Sequence, residues 1–525
     1  MKLTAKDLYA GYEARKVLLD KQGGALKLDP RVFKYGRERK GVVCTDPIDL
    51  GQRNGILGGD AAVTAVAIEV LANVPDGASV VTHVRTGANM LDTSHWSDWK
   101  AVPGGKGTVK NLAGRYIQVR MTLKAPDAKK LPALTGLLLK PTVVPAPREP
   151  WFALKVVKAD IQKIVRSPVV FHYERPDQPD VVKFRKAAKL DQVVKGAKDD
   201  FEKLVKLMDW VGGCHNDRDK KKHIHKGRYT WDINRVWGIA DGKPTVYGHC
   251  MSYAEVMCYA AVAMGYVSAR HNAVGGFRQA THEVTDIWVP SLGKWVYFDP
   301  SLTSYYMDKK TKVPMSILET HDVICKSFIP DGKDMNWFHQ RRSAETYAVM
   351  RKVGGKTPIR CRLGPWRYGA PMPRNYDWGW SHSYLANGFV HMTPRNDFQS
   401  HPEAIPRRFG NVVVSRNYPS WVDDKTPIRR GAANWFTRKR DFYWTLDQAS
   451  FNLVRAGQRT IRVELGQSMP FFKHYKLTVN GAETTTKKTA YAWRLQPGQN
   501  TLAVAPVDEL GKVGLASSVT LELPK

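Results

Sequence analysis

Three residues of this chain have the types and order that acyl-transfer chemistry needs: Cys250, His282 and Asp299. Gly248-His249-Cys250 follows a loop signalled by Asp241-Gly242-Lys243-Pro244. From Cys250 onward Met251, Ala254, Met257, Ala261 and Met264 recur at three- and four-residue steps, and Gly265 stands where a C-terminal cap belongs. The pattern predicts a helix with Cys250 at its N-terminus. Unpaired N–H groups and the positive end of the helix dipole favour a thiolate there.

Three strands are predicted after Gly265: Tyr266–Val274, His282–Val289 and Lys294–Asp299. The tight connection Pro290-Ser291-Leu292-Gly293 makes the last two a hairpin. His282 opens its first strand and Asp299 closes its second, so pairing sets them side by side at the open end. A carboxylate there holds the imidazole in one tautomer while the other ring nitrogen faces the thiol. Sulfur attacks, the imidazole keeps sulfur ionised and later protonates the leaving group, and the acid orients the imidazolium.

Those residues together resemble the transglutaminase-like superfamily. The resemblance rests on Gly248-His249-Cys250, Ala269-Arg270 closing the first strand, His282 opening the second, and Lys294-Trp295-Val296-Tyr297-Phe298-Asp299-Pro300. The upstream run Leu207-Met208-Asp209-Trp210-Val211 fits as well, and the likeness covers roughly residues 184–305. Most members of that superfamily are papain-like cysteine hydrolases, and true transglutaminases are a minority. The likeness implies that Cys250 is the nucleophile, His282 the general base and acid, and Asp299 the orienter, with no metal and no cofactor. One departure is that Glu283-Val284 follows His282, where the family commonly has a small residue and a tryptophan.

Other candidates surround this core. The Cys250 backbone N–H and the indole of Trp237 or Trp231 are the expected oxyanion donors. His249, Tyr253, Trp366, Arg367, Tyr376, Trp378 and Trp380 are the expected substrate-binding residues, because rings stack on sugars and arginines pair with carboxylates or sulfates. Cys258 falls inside the apolar stripe of its helix and reads as core. His223 and His225 lack a third ligand nearby and read as an exposed loop rather than a metal site.

The elements that must position these residues belong to a chain too long for one core, with 525 residues. The expected fold class is multidomain α+β: a transglutaminase-like (papain-like) catalytic core flanked by N- and C-terminal antiparallel β-sandwiches. The expected boundaries are a basic arm over 1–40, an accessory sandwich over 41–150, the catalytic domain over 151–360, an aromatic and basic extension over 361–430 and an immunoglobulin-like sandwich over 431–525. In the first sandwich Ile117, Val119, Met121 and Leu123 form the apolar face of one strand. Trp96 and Trp99 there are either core or sugar-stacking residues, as in sandwich modules beside secreted carbohydrate-active enzymes. Four prolines, Pro141, Pro145, Pro147 and Pro150, mark the linker that follows. One helical run is predicted over 184–211, ended by Gly212-Gly213, and Asn480-Gly481 is a hairpin turn near the C-terminus.

Lys and Arg number 81 against 49 Asp and Glu, a formal charge of +32 scattered in short clusters. Such a surface attracts a polyanion, and an acidic polysaccharide, glycoconjugate or cell-wall polymer is the expected partner. No recognition motif accompanies the charge, which sets nucleic acid aside. Six cysteines in a chain of this length are not a disulfide framework. The N-terminus shows no signal-peptide pattern and no run long enough to span a membrane, so the expectation is a secreted or periplasmic protein in mature form. The expected function is cleavage or transfer of an amide or peptide bond through a thioester. The residues leave open a lyase on the same fold, in which His282 or a tyrosine abstracts a proton, and a non-catalytic glycan-binding protein.

Overall fold

A computed structural model of the chain describes residues 1–36, 38–51, 57–59, 62–144, 154–214, 231–248, 250–275, 281–308, 310–328, 346–350, 389–404, 418–423, 434–457 and 459–524. The chain is mostly β-sheet with few helices. It divides into two compact units, Met1–Pro168 with Phe436–Lys525, and Val169–Trp435.

Two pairs of sheets make up the first unit. In the N-terminal pair, one sheet runs Lys106–Lys110, Ala62–Asn73, Ala133–Val144, Leu26–Leu28, Val17–Leu19, and the other runs Lys100–Val102, Ser79–Gly87, Tyr116–Lys124, Lys40–Cys44, Glu13–Arg15. Ile117, Val119, Met121 and Leu123 are fully buried and join Val66, Ile68, Leu137 and Leu139 in one apolar cluster drawn from both sheets. That is what period-two alternation requires of a sheet with one covered face.

Residues 1–40 are therefore not an arm. Lys2–Thr4 pairs with Ala133–Val144, Glu13–Arg15 pairs with Lys40–Cys44, and Ala5, Leu8, Val17 and Leu26 lie in the shared core. The apolar residues are too few per segment to announce a strand, and their partners lie far along the chain. The expected linker also begins later, because the strand runs through Pro141, paired with Val66, to Val144. On the strand's other side the described partners, Leu26–Lys27 and Met1–Thr4, reach only as far as Leu139, so Pro141 sits where a missing N–H costs no ladder bond.

The C-terminal pair has sheets Lys155–Asp160, Ser517–Leu523, Gly498–Asp508, Phe472–Val479, Ala482–Thr486 and Ala490–Arg494, Thr460–Gln467, Ala449–Gly457, Leu57–Gly59. Phe451, Leu453, Ile461, Val463, Leu477, Leu502, Val504 and Leu521 form its core. Asn480 and Gly481 turn the hairpin with φ of 48° and 85°. Residues 155–168 belong to this unit rather than to the start of a catalytic domain.

Among the described residues the second unit holds helices, two small two-stranded sheets (Trp237–Ala240 with Lys243–Val246, and Ser304–Asp308 with Thr346–Met350) and the larger antiparallel array that carries the site. The predicted run over 184–211 is interrupted: Pro179–Ala187 (α1) and Asp200–Gly213 (α2) are separate helices with a short turn of helix, Leu190–Val193, between them. Lys189 (φ 53°) and Gly196 (φ 72°) break the run. Asp199 caps α2 by accepting from the Glu202 N–H at 2.8 Å. The central helix, Cys250–Ala263 (α3), is buried at every position from Met251 to Ala263. Gly265 (φ 90°) ends it, with the Tyr266 N–H closing on the Ala261 carbonyl at 2.9 Å.

The sheet contains Arg270–Gly275 (β1), Thr281–Val289 (β2), Lys294–Phe298 (β3), Phe389–Met392 (β4) and Pro419–Val422 (β5), in the order β5-β4-β1-β2-β3, all antiparallel. Ile287, Val289, Val296 and Phe298 share one core with α2 and α3. Since β4 and β5 complete this sheet, those parts of 361–430 are integral to the second unit and not an extension. No helix among the described residues is long and apolar enough to cross a membrane.

Candidate active site

Cys250 opens α3 immediately after Gly248 (φ 126°) and His249. It is only partly covered, while the rest of the helix is buried. The hairpin forms as its turn signals predict. Thr285 pairs with Phe298 and Val289 with Lys294, and Gly293 (φ 59°) closes the turn. At the hairpin's open end His282 Nε2 lies 2.6 Å from Asp299 Oδ2, and both side chains are buried. The other ring nitrogen is turned away from Asp299, and the imidazole and the Cys250 sulfur act on each other's charge.

Asp299 is held from several directions. Its Oδ1 accepts from the Ser301 hydroxyl at 2.7 Å and from the Leu302 N–H at 3.1 Å, and its Oδ2 accepts from Tyr297 Oη at 3.3 Å. Ser301 and Tyr297 escaped the sequence reading. Ser two residues after Asp is a turn signal, and Tyr297 shares the face of Asp299 by strand alternation. A further device is Gly212 in α2. A Cβ there would meet Thr303 Cγ2 at 2.0 Å and the Pro300 carbonyl at 3.0 Å, so the missing side chain lets α2 abut the turn that follows Asp299.

The electrostatics follow from this packing. Burial by itself penalises the imidazolium of His282, but Asp299 and then the sulfur outweigh it and raise the pKa to about 10. Burial also disfavours the Asp299 carboxylate, and His282, Ser301 and the Leu302 N–H overcome that and lower its pKa. For Cys250, burial raises the thiol pKa, yet the hydrogen bond and charge of His282 bring it below the ordinary value. The directions of these shifts favour a thiolate–imidazolium pair backed by a carboxylate.

The remaining expected residues fare differently. Tyr253 lies in the core with its hydroxyl on the Cys214 carbonyl at 3.4 Å, not on a surface open to substrate. The Trp237 ring lies in the core, packed on Phe184 at 5.2 Å and Trp210 at 6.2 Å. Trp231 is buried between His271 (5.0 Å) and Phe398 (4.7 Å) and makes no hydrogen bond to Cys250 among the described residues. Large apolar rings were drawn to the core, and their N–H groups followed. His249, His223, His225, Trp366, Arg367, Tyr376, Trp378 and Trp380 lie outside the described residues. Cys258 is buried in the core of α3. Trp96 is tied by its N–H to the Asn89 carbonyl at 2.8 Å, and Trp99 packs under Arg120 at 4.1 Å and Arg85 at 4.9 Å. Among the described residues no group of three or more His, Cys, Asp or Glu side chains could hold a metal ion. Arg270 opens β1 rather than closing a strand, and it forms a fully buried ion pair with Asp286 at 3.1 Å beneath Trp295.

No protein-family model matches the chain. No curated protein matches it either. Solved structures similar to it include a candidate cysteine protease from Cytophaga hutchinsonii, at 13% identity and a TM-score of 0.17, covering 46% of this chain and 78% of that one. Red sea bream transglutaminase is similar at 11% identity and a TM-score of 0.17, over 100% of this chain and 99% of that one. Likenesses at so low a score carry no weight for the chemistry, which has to be read from the residues themselves.

Proposed function

We propose that the chain is a cysteine-dependent hydrolase or acyltransferase that opens an amide or peptide bond through a thioester. The observation that supports this reading is the grouping of the partly covered Cys250 at a helix start, the imidazole of His282 acting on its sulfur, and Asp299 at 2.6 Å from that imidazole. In this reading the Cys250 thiolate attacks the carbonyl carbon, and the Cys250 backbone N–H at the start of α3 stabilises the oxyanion. The imidazolium of His282 gives its proton to the departing amine, leaving an acyl-thioester and a neutral imidazole. Water or an acceptor amine then attacks the thioester while His282 takes its proton. Sulfur departs as thiolate and the ion pair is restored. The +32 charge favours an anionic glycan, glycopeptide or cell-wall polymer as the carrier of that amide, met outside the cell.

The test is to incubate the protein with acidic glycopeptides and cell-wall peptides and to quench in acid. Peptide mass mapping then searches for an acyl adduct on Cys250. An adduct that forms on Cys250, decays with product release and is absent from Cys250→Ser supports the reading. Cleavage that survives Cys250→Ser contradicts it and favours elimination by another base.

A further inference from the structure

In the strand Tyr116–Lys124, Ile117, Val119, Met121 and Leu123 point into the core of the N-terminal sheet pair, so Gln118 and Arg120 point to the outer face. On the neighbouring strand Arg85 stands opposite Gln118 and His83 opposite Arg120, which makes the two arginines diagonal neighbours on that face. Two tryptophans from the loop after Gly87 meet them. The Trp99 ring lies 4.1 Å from the Arg120 guanidinium and 4.9 Å from that of Arg85, and Arg85 is 5.5 Å from the Trp96 ring. Trp96 reaches this place because Gly87 has no side chain. A Cβ there would meet three atoms of the ring at 2.2, 2.3 and 2.4 Å, so the ring lies against the strand itself. Its N–H, donated to the Asn89 carbonyl, fixes it there.

The charge of this group is not neutralised. Arg85 donates from Nε and Nη2 to the Gln118 amide oxygen at 2.9 and 2.7 Å, and Gln118 is held in turn by the Thr45 carbonyl at 2.9 Å. A neutral amide thus orients this guanidinium, whereas Arg115, Arg270 and Arg438 lie on the carboxylates of Asp49, Asp286 and Asp441. The Arg120 Nε is buried with no hydrogen-bond partner. Among the described residues neither Arg85 nor Arg120 makes an ion pair. Glu13, on the same face across Cys44, is taken by Arg15 at 2.9 Å. Cys44 stands opposite Arg120, and burial keeps its thiol neutral. Asp98 is exposed, and Arg85, Arg120, His83, Trp96 and Trp99 are each partly exposed. Two fixed like charges side by side repel until an anion meets them.

We propose that this face binds an acidic oligosaccharide, with Arg85 and Arg120 taking its carboxylate or sulfate groups and Trp96 and Trp99 meeting the C–H faces of its sugars. A guanidinium stacked on a ring keeps its N–H edge for an oxyanion. Trp96 against its strand is a platform rather than a slot, which suits a pyranose face better than a run of stacked bases. The site uses none of Cys250, His282 and Asp299, so it holds or fails apart from the chemistry proposed for them.

The test is isothermal titration of the full chain at about 0.15 M salt, where long-range attraction is largely screened. The probes are oligogalacturonate for carboxylate, dextran sulfate for sulfate, neutral dextran and oligo-dT. The wild type is compared with Arg85→Gln/Arg120→Gln, with Trp99→Ala and with Lys155→Gln/Lys158→Gln, which removes the same charge from an exposed strand of the C-terminal pair. The arginine pair should weaken binding of an acidic saccharide about tenfold or more, Trp99→Ala about fivefold and the lysine pair less than about twofold. The acidic probe bound more tightly distinguishes carboxylate from sulfate as the group read. Equal losses from the arginine and lysine pairs would show that only the general charge acts, and would overturn the site. Failure to bind either acidic saccharide, equal binding of neutral dextran, or binding of oligo-dT as tight as theirs would overturn it too. If circular dichroism shows that Trp99→Ala does not fold, the arginine pair against the lysine pair decides.

Discussion

Cys250 and Cys258 occupy one helix, eight residues apart, and their chemistry is opposite. Cys258 is buried in the middle of α3 among apolar side chains, and burial followed by the nearby charge of Glu255 pushes its thiol pKa well above the ordinary value. Cys250 pays a desolvation penalty as well, but it sits at the helix start where the influence of His282 outweighs that penalty, and its pKa falls. Cys44 and Cys214, buried without an imidazole, are pushed up to about 12. Neither the residue type nor the helix separates the two thiols. A helix end open on one side and a histidine already held by a carboxylate do.

The largest expected difference between the two cysteines is in turnover. Cys250→Ala should lower kcat/KM on a cleavable amide by on the order of 10³-fold or more, while Cys258→Ala should leave it within a few-fold. Equilibrium unfolding should show Cys258→Ala as the costlier change for stability, because it opens a cavity in a packed core. Comparable turnover by the two variants breaks the comparison. Next in size is His282→Ala, which should move the Cys250 labelling midpoint up to about 8.5, that of an unassisted thiol. Cys258 should stay unlabelled in both proteins until they unfold.

Smaller effects come from pH. The folded pKa of His282, about 10, lies above its ordinary 6.5, so the stability it contributes is fully present below about 6.5 and drains away as pH rises through about 10. Asp299 runs the other way. Its folded pKa is below 3.8, so its contribution is present above that value and is lost as pH falls through the lower folded one. Unfolding free energies measured from pH 7 to 11 should therefore fall more steeply for the wild type than for His282→Ala. Turnover should also decline as His282 loses the proton needed by the leaving amine. The smallest effect expected is that of Gly212→Ala. Pressing a methyl group onto Thr303 should cost about 1–3 kcal/mol and slow labelling of Cys250 by disturbing the turn that holds Asp299. A Gly212→Ala protein of unchanged stability would show that the approach of α2 is not tight.

The placement of Cys250, His282 and Asp299 was more legible than the scaffold. Each stands at the end of an element whose limits are marked: Gly248 before the helix, Gly265 after it, and Gly293 in the hairpin. Once those ends are fixed, the distance between His282 and Asp299 follows from pairing. The break at Lys189 was invisible, because a lysine at positive φ carries no mark in an otherwise periodic run. The first 40 residues and Pro141 were misread because some partners lie far along the chain, as Leu138 does from Lys2, and because Pro141 is paired on only one side of its strand. Trp237 and Tyr253 were assigned to the site from residue type, and both lie in the core, the Tyr253 hydroxyl on the Cys214 carbonyl. His271 and Glu283 could not be paired without the register between β1 and β2.

The most direct test of the central claim is the pH profile of iodoacetamide labelling in the native wild-type protein, with Cys258 as the internal reference. The account predicts that Cys250 labels rapidly well below the ordinary thiol pKa of about 8.5 and that Cys258 does not label at all. A Cys250 that labels with the profile of a free thiol, or no faster than Cys258, would contradict it.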